Sequence, residues 1–251
     1  MRHTKHWLVS HLPITAMALL AAVQAHAATI GVPENLPPWG LTAASPAGQR
    51  GIYVDLADAI VANTHIPLQI TFVPYGRMFQ EVKSGELDYA FGVVSPAISA
   101  AGPFIAVFAK TPMIAIARKG LSLKKLEDLR GFGEVGYLRG GSCGPLVDGD
   151  AAIHRVGQDN YDSAIRKLAA GRLDAWCSIK LGFTYALNNL NMAADMGDEV
   201  DYGAVKVGFQ VTTAKADSAE AHELATVVEK LVSDGTAGKI VAHYVGAPYS
   251  P

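Results

Sequence analysis

A segment that occurs twice constrains this 251-residue chain more than any other feature. Residues 71–94 read TFVPYGRMFQEVKSGELDYAFGVV, and 86 positions on the pattern returns as SAIRKLAAGRLDAWC, beginning at Ser163. Met78, Phe79, Val82, Gly85, Leu87 and Asp88 are answered by Ala164, Ile165, Leu168, Gly171, Leu173 and Asp174. Two copies of one supersecondary unit predict two similar lobes.

Within each copy, apolar residues at i, i+1 and i+4 give a helix one buried stripe. Gly85 or Gly171 then ends it with a positive φ, and a short apolar run follows as a buried strand. LQITFV precedes the first helix and HRVG the second, so each copy predicts a βαβ unit with parallel strands and a right-handed crossover. In such sheets ligands bind beyond the carboxyl ends of the strands, which points to the loops after Val73, Val94, Leu138 and Cys177.

Residues 1–27 read as a secretory signal peptide. Arg2 and Lys5 precede an apolar run broken by Ser10, His11 and Pro13, and Ala25-His26-Ala27 supplies a small-x-small cleavage pattern. Without that segment the chain has 19 basic and 23 acidic residues, a net charge of −4, which makes nucleic acid an improbable partner. The remaining histidines, at 65, 154, 222 and 243, are far apart and the chain has two cysteines, so neither a metal site nor a cofactor is expected.

ATIGVP reads as a first strand, and ENLPPWG after it as a loop presenting Trp39, because its two prolines fix φ and remove donors. GIYVDLADAI opens a helix. Residues 95–112, SPAISAAGPFIAVFAKTP, have no clear period and suggest a crossing between lobes, followed by a strand in MIAIARKG. SLKKLEDLRG reads as a short helix capped by Ser122. GFGEVGYL then leads into Arg139-Gly140-Gly141-Ser142-Cys143-Gly144, a glycine-rich turn whose N–H groups could cradle an anion. A helix from about Lys180, a strand from Val205 and two helices, over 219–233 and 236–245, complete the chain.

With these features in place, the mature sequence resembles the family 3 extracellular solute-binding proteins of bacterial ABC transporters. The resemblance is carried by PPW at 37–39, GIYVDLADAI at 51–60, the GELD and GRLD turns, SLKKLEDLRG with EVGYLRGGS, and VEKLVSDGTAGKIVAHYVG near the end. It implies an α/β fold of the type II periplasmic-binding-protein class. Each of its two lobes would be a mostly parallel sheet flanked by helices, and a two-stranded hinge would join them. The corresponding division is 28–111 and 207–251 for lobe 1 and 112–206 for lobe 2. It also implies a periplasmic monomer that closes on a small molecule and delivers it to an inner-membrane ABC permease, without catalysis.

The sequence departs from the amino-acid-binding members of that family. Where they carry a Thr-Pro-Glu-Arg-like run whose arginine grips a carboxylate, this chain has SPAISAAGPF, with no Arg or Lys between Lys83 and Lys110. The acidic residue that receives an α-ammonium group falls at about Ile179. An ordinary α-amino acid is therefore not the expected ligand; a small anionic solute with an apolar or aromatic portion is.

The candidate ligand-binding residues follow from position. Trp39 and Tyr75 come after strand ends, where aromatic walls would hold a ring or aliphatic chain. Arg77 opens a helix, where a cation opposes the macrodipole by ~0.3–1 kcal/mol, so an anion at the cleft would explain it. Arg139 adjoins the glycine-rich turn. Ser95 and Ser142 are candidate donors, and Glu34 could receive a cation. In the resembling fold the strands leading to Cys143 and containing Cys177 are neighbours, which implies a disulfide in an oxidising compartment.

Three other readings compete. Gly140-Gly141-Ser142-Cys143-Gly144 matches Gly-x-Ser-x-Gly, so a secreted serine hydrolase using Ser142 with His222 or His243 is a rival. A dehydratase on the same scaffold is another, although no cleft acid can be nominated for it. The third is a two-lobed domain serving a sensor or a periplasmic assembly rather than a permease.

Overall fold

The computed structural model describes residues 27–45 and 48–245; the expected signal peptide, except Ala27, lies outside them. The chain opens with β1 (Ala28–Pro33), α1 (Ile52–Val61), β2 (Leu68–Val73), α2 (Tyr75–Ser84) and β3 (Tyr89–Val93). A one-turn helix, α3 (Pro96–Ser99), leads into the long strand β4 (Phe104–Arg118). There follow β5 (Val135–Leu138), α4 (Pro145–Asp148), β6 (Arg155–Gln158), α5 (Tyr161–Ala169), β7 (Ala175–Ile179) and α6 (Lys180–Leu190). The second long strand, β8 (Met196–Val211), and helices α7 (Ala219–Ser233) and α8 (Thr236–Val245) complete the described fold.

The repeat is visible in the topology. The sheet order is β2-β1-β3-β8-β4-β7-β5-β6, so the two ends are βαβ units of the same kind. In each, the repeat's two strands lie parallel on either side of a third: β1 between β2 and β3, β5 between β6 and β7. Gly85 and Gly171 end their helices at φ of 83° and 68°, a conformation that costs a side chain energy and glycine little. The repeated aspartates also share one task. Asp88 accepts from the backbone N–H of Thr29 at 2.9 Å, and Asp174 from that of Gly133 at 2.8 Å, each tying its turn to the segment that starts the central strand. Each also pairs with a cation, Lys215 or Arg118.

The long strands join the halves. β4 and β8 run antiparallel along their whole lengths, from Phe104 opposite Gln210 to Arg118 opposite Met196. β3 pairs with β8 over Val207–Val211, whereas β7 pairs with β4 over Met113–Ala117. Between those spans the two strands have only each other as neighbours in the sheet, which is where such a structure bends most easily.

Three local readings are corrected. The stretch without clear period is already strand from Phe104, and β8 begins at Met196 rather than Val205, because each long strand alternates burial as it leaves one half for the other. The segment before it is fixed by Gln210, whose buried carboxamide donates to the carbonyls of Ile98 and Gly102. Ser122 caps no helix: its hydroxyl lies 3.4 Å from Asp198, and the short 3-10 helix Leu126–Gly131 has Lys125 as its N-cap, with Asp128 accepting from the N–H groups of Lys124 and Lys125.

Candidate functional site

The carboxyl ends of the parallel strands converge on a small cavity between the halves. Its walls come from Trp39 after β1, Tyr53 in the first turn of α1, Tyr75 after β2 and Val93 ending β3 on one side. Leu138 ending β5, Gly141 and Ser142 after it, Tyr161 after β6, and Cys177, Ser178 and Ile179 of β7 form the other. None of these side chains is charged. The volume is about 20 Å³, enough for roughly one water molecule. The arrangement is thus a closed one, and its own aromatic side chains fill most of the cleft.

Each wall is backed by the core behind it. On one side Trp39 packs 5.0 Å from Tyr53, which stacks on Phe91 at 5.0 Å. On the other Tyr161 meets Trp176 and Phe183 edge-on at 6.1 and 6.4 Å, and those two rings stack on each other. Tyr75 and Tyr161 are the first residues of α2 and α5, and they occupy equivalent places in the repeat. Burial raises the pKa of both phenols, and for Tyr75 the neighbouring Tyr161 adds to the shift, so both remain neutral hydrogen-bonding groups at ordinary pH.

Direct contacts join the two sides. The Trp39 indole N–H donates to the Tyr161 hydroxyl at 3.2 Å, and the Tyr185 hydroxyl to Gln49 at 3.1 Å. Gly182 on α6 makes room for the first: a Cβ there would lie 2.5 Å from the Tyr161 oxygen and 2.9 Å from the Trp39 nitrogen. At the rim the backbones of Gly76 and Gly140 almost touch, since a Cβ on Gly140 would come within 2.5 Å of the Gly76 Cα.

The six residues singled out from sequence are divided by the structure. Trp39, Tyr75 and Ser142 line the central cavity. Arg77 and Arg139 instead border a separate open pocket of about 380 Å³ at the mouth, together with Glu34, Asp159 and Tyr75, which belongs to both spaces. Neither arginine is unengaged: Arg77 pairs with Glu81 at 2.7 Å, and Arg139 with Asp159 at 2.9 Å while donating to the Gly157 carbonyl. Ser95 lines neither space; its buried hydroxyl accepts from the Ile98 N–H and caps α3.

The glycine-rich turn does hold a carboxylate, but the chain's own. Asp148 accepts from the Cys143 N–H at 3.0 Å, from the Ser142 hydroxyl at 2.5 Å and from Arg155 at 2.7 Å. The expectation that this turn waits for an external anion is corrected on that point: Asp148 takes the Cys143 N–H and the Ser142 hydroxyl, and the Gly141 and Gly144 N–H groups go to the Leu138 carbonyl and the Ser142 oxygen. Cys143 and Cys177 form the expected disulfide, with Cα atoms 5.4 Å apart, directly behind the Ser142 and Cys177 wall. As for a hydrolase, Ser142 makes its hydroxyl contacts with Asp148 and Gly144, while His222 is occupied with the Ser218 carbonyl and His243 packs on Tyr244.

Sequence reasoning missed Tyr53, Tyr161, Ser178 and the apolar contribution of Ile179. Tyr161 was accessible, because the 86-residue offset carries Tyr75 onto it. Tyr53 was hidden among the apolar positions of its helix. Lys180, which follows Ile179, turns away to Glu199 and Asp201.

Two βαβ halves joined by a pair of long antiparallel strands, with an aromatic cleft at their strand ends, define a two-lobed binding protein of the type II periplasmic class. The chain belongs to the bacterial extracellular solute-binding proteins, family 3, whose model matches residues 28–247. No curated protein sequence matches it. Among solved structures, an ancestral arginine-binding protein bound to glutamine is 23% identical, covering 88% of this chain and 98% of its own, with a TM-score of 0.72. A histidine kinase sensor domain with similarity to periplasmic binding proteins is 20% identical over 88% of this chain and 97% of its own, TM-score 0.72. An ABC uptake transporter substrate-binding protein from Streptococcus pneumoniae with bound histidine is 16% identical over 89% and 94%, TM-score 0.73.

Proposed function

We propose that this protein is a periplasmic clamp that closes on a small solute with an apolar or aromatic body and an anionic end, and delivers it to an inner-membrane ABC permease. The lobes are 28–111 with 207–251, and 112–206, turning about the middle of β4 and β8. The observation that carries the reading is the sorting of charge. The central cavity offers only aromatic, aliphatic and hydroxyl groups, while Arg77 and Arg139 flank its mouth beside the shared Tyr75.

The mechanism is exchange of contacts. As the lobes part, the Trp39 and Tyr161 side chains give up their mutual hydrogen bond, and a solute inserted between the rings replaces it. Its anionic end draws Arg77 and Arg139 from their carboxylate partners; the Arg139–Asp159 pair is exposed on both sides and worth little to stability, and Arg77 is the exposed member of its pair with Glu81. No bond is made or broken. The absence of a basic side chain over 95–103, a segment engaged instead in capping α3 and packing against Gln210, argues against the α-carboxylate grip of amino-acid-binding relatives. Use of the same clamp in signalling is a second reading, favoured by the similarity to a sensor domain.

A thermal-shift panel on the protein without residues 1–27 tests the proposal, comparing α-amino acids with aliphatic and aromatic carboxylates and phosphorylated compounds. A ligand held at about a thousand times its Kd stabilises by ~4 kcal/mol, and at about 2–4 °C per kcal/mol the shift is conspicuous. Responses confined to anionic compounds, weakened in Arg77→Ala and Arg139→Ala, support the reading. Stronger responses to ordinary amino acids overturn it.

A further inference from the structure

Between α6, the end of α8 and the hinge segment of β4 lies a further open cavity of about 450 Å³. Thr111 and Pro112 of β4 form its floor, the α6 residues Thr184, Tyr185, Asn188 and Asn189 one wall, and Gln49 with the end of α8 the other. Its size falls within the range of about 300–1,000 Å³ common to small-molecule sites.

Two features mark it as more than a crevice. The Thr111 side chain is 1% exposed, and its hydroxyl oxygen has no hydrogen-bond partner among the described residues. An unsatisfied buried hydroxyl destabilises the fold, a loss that a ligand in contact with it would recover. Apart from Lys180 and the two tyrosine hydroxyls, the polar lining is of neutral two-way groups: three carboxamides, from Gln49, Asn188 and Asn189, and two aliphatic hydroxyls, from Thr111 and Thr184. Lys180 also lines the cavity, but its ammonium is held by Glu199 at 2.7 Å and Asp201 at 3.3 Å. The hydroxyl of Tyr244 is occupied by Asp55 and the Gly51 N–H, leaving its ring as an apolar surface beside Leu181.

We infer that this cavity is a second ligand site, for a neutral polyhydroxylated molecule of sugar or polyol type. Carboxamides both donate and accept, as vicinal hydroxyl groups do, and tyrosine rings supply the flat surface on which the C–H face of a sugar rests. A charged ligand would find no free counter-charge. The cavity is walled by elements on both sides of the hinge and bridged by the Tyr185–Gln49 hydrogen bond. A ligand that fits it in the closed arrangement therefore favours closure, and by linkage tightens binding in the cleft. The inference stands whichever solute the cleft takes.

The test is titration calorimetry of the protein with glucose, trehalose and sorbitol, in three forms: wild type, Thr111→Val, and Asn188→Ala with Asn189→Ala. Binding of at least one probe to wild type is expected, weakened about tenfold in the other two, the equivalent of one lost hydrogen bond. Thr111→Val is also expected to melt above wild type without ligand, because it removes an unpaired buried hydroxyl, a result a purely structural role for Thr111 would not give. Asn188 and Asn189 are exposed, so their replacement leaves the fold intact. Two outcomes overturn the inference: no probe binds, or binding is as strong in both hinge variants as in wild type.

Discussion

The indole nitrogen of Trp39 and the phenol oxygen of Tyr161, 122 positions apart in sequence, are 3.2 Å apart across the cleft, and their buried hydrogen bond links the two halves. Trp39 is 4% exposed in this arrangement. Tyr161→Phe leaves that buried donor without its acceptor, at a cost of about 1–3 kcal/mol borne only by the closed form. The expected result is a shift toward open molecules, seen as a larger radius of gyration in small-angle scattering. Global stability should change little, and an unchanged radius would mean that other contacts hold the lobes together.

Gly182→Ala separates steric fit from backbone preference. Alanine is favoured over glycine inside a helix by about 0.8–1 kcal/mol, so α6 itself should gain. The added Cβ nevertheless meets both the Tyr161 oxygen and the Trp39 nitrogen. The variant is expected to keep its circular dichroism and its unfolding midpoint while its ligand affinity changes by tenfold or more. A variant with wild-type affinity would show that the rings move aside freely.

The Cys143–Cys177 bridge closes a span of 34 residues. In the chain-entropy model a loop of that length is worth about 4 kcal/mol. Reduction, or replacement of both cysteines by serine, should lower the midpoint of denaturant unfolding accordingly. It should also loosen the cavity wall formed by Ser142 and Cys177, weakening ligand binding beyond the loss in stability.

Asp148 serves that wall from the other side. Asp148→Ala leaves the Cys143 N–H, the Ser142 hydroxyl and the Arg155 guanidinium without their shared acceptor. A loss of about 1–3 kcal/mol is expected from leaving these partly exposed donors without an acceptor, with Asp148→Asn recovering part of it. Denaturant titration of the two variants checks the order.

The twin aspartates set the acid limit. Burial raises the Asp88 pKa, but the Thr29 N–H and Lys215 outweigh it and hold the carboxyl below its usual value. Asp174 is lowered mainly by Arg118, against a smaller burial effect, with the Gly133 N–H assisting. A carboxyl lowered on folding stabilises the protein above its unfolded pKa of about 3.9 and ceases to as pH falls through the folded value. Stability should therefore fall steadily below about pH 4. The Asp88→Asn, Asp174→Asn double variant should be less stable near neutrality and lose less on acidification.

The repeat in the sequence determined a good deal. Its apolar spacing, its glycines and its aspartates specify two βαβ units, because helix periodicity, positive φ and turn capping are local requirements that neighbouring residues meet by themselves. The positions after the strands located Trp39, Tyr75 and Ser142 at the cleft for the same reason. What the chain could not show by itself is which groups are already spoken for. Only the tertiary structure gives the glycine-rich turn to Asp148, turns Ser95 into a cap and pairs Arg77 with Glu81 at the mouth. It alone brings Tyr161 to Trp39 and leaves the Thr111 hydroxyl unpaired at the hinge. Hydrogen bonds between residues distant in sequence depend on how whole elements pack, and a linear pattern of residue types carries no record of that competition.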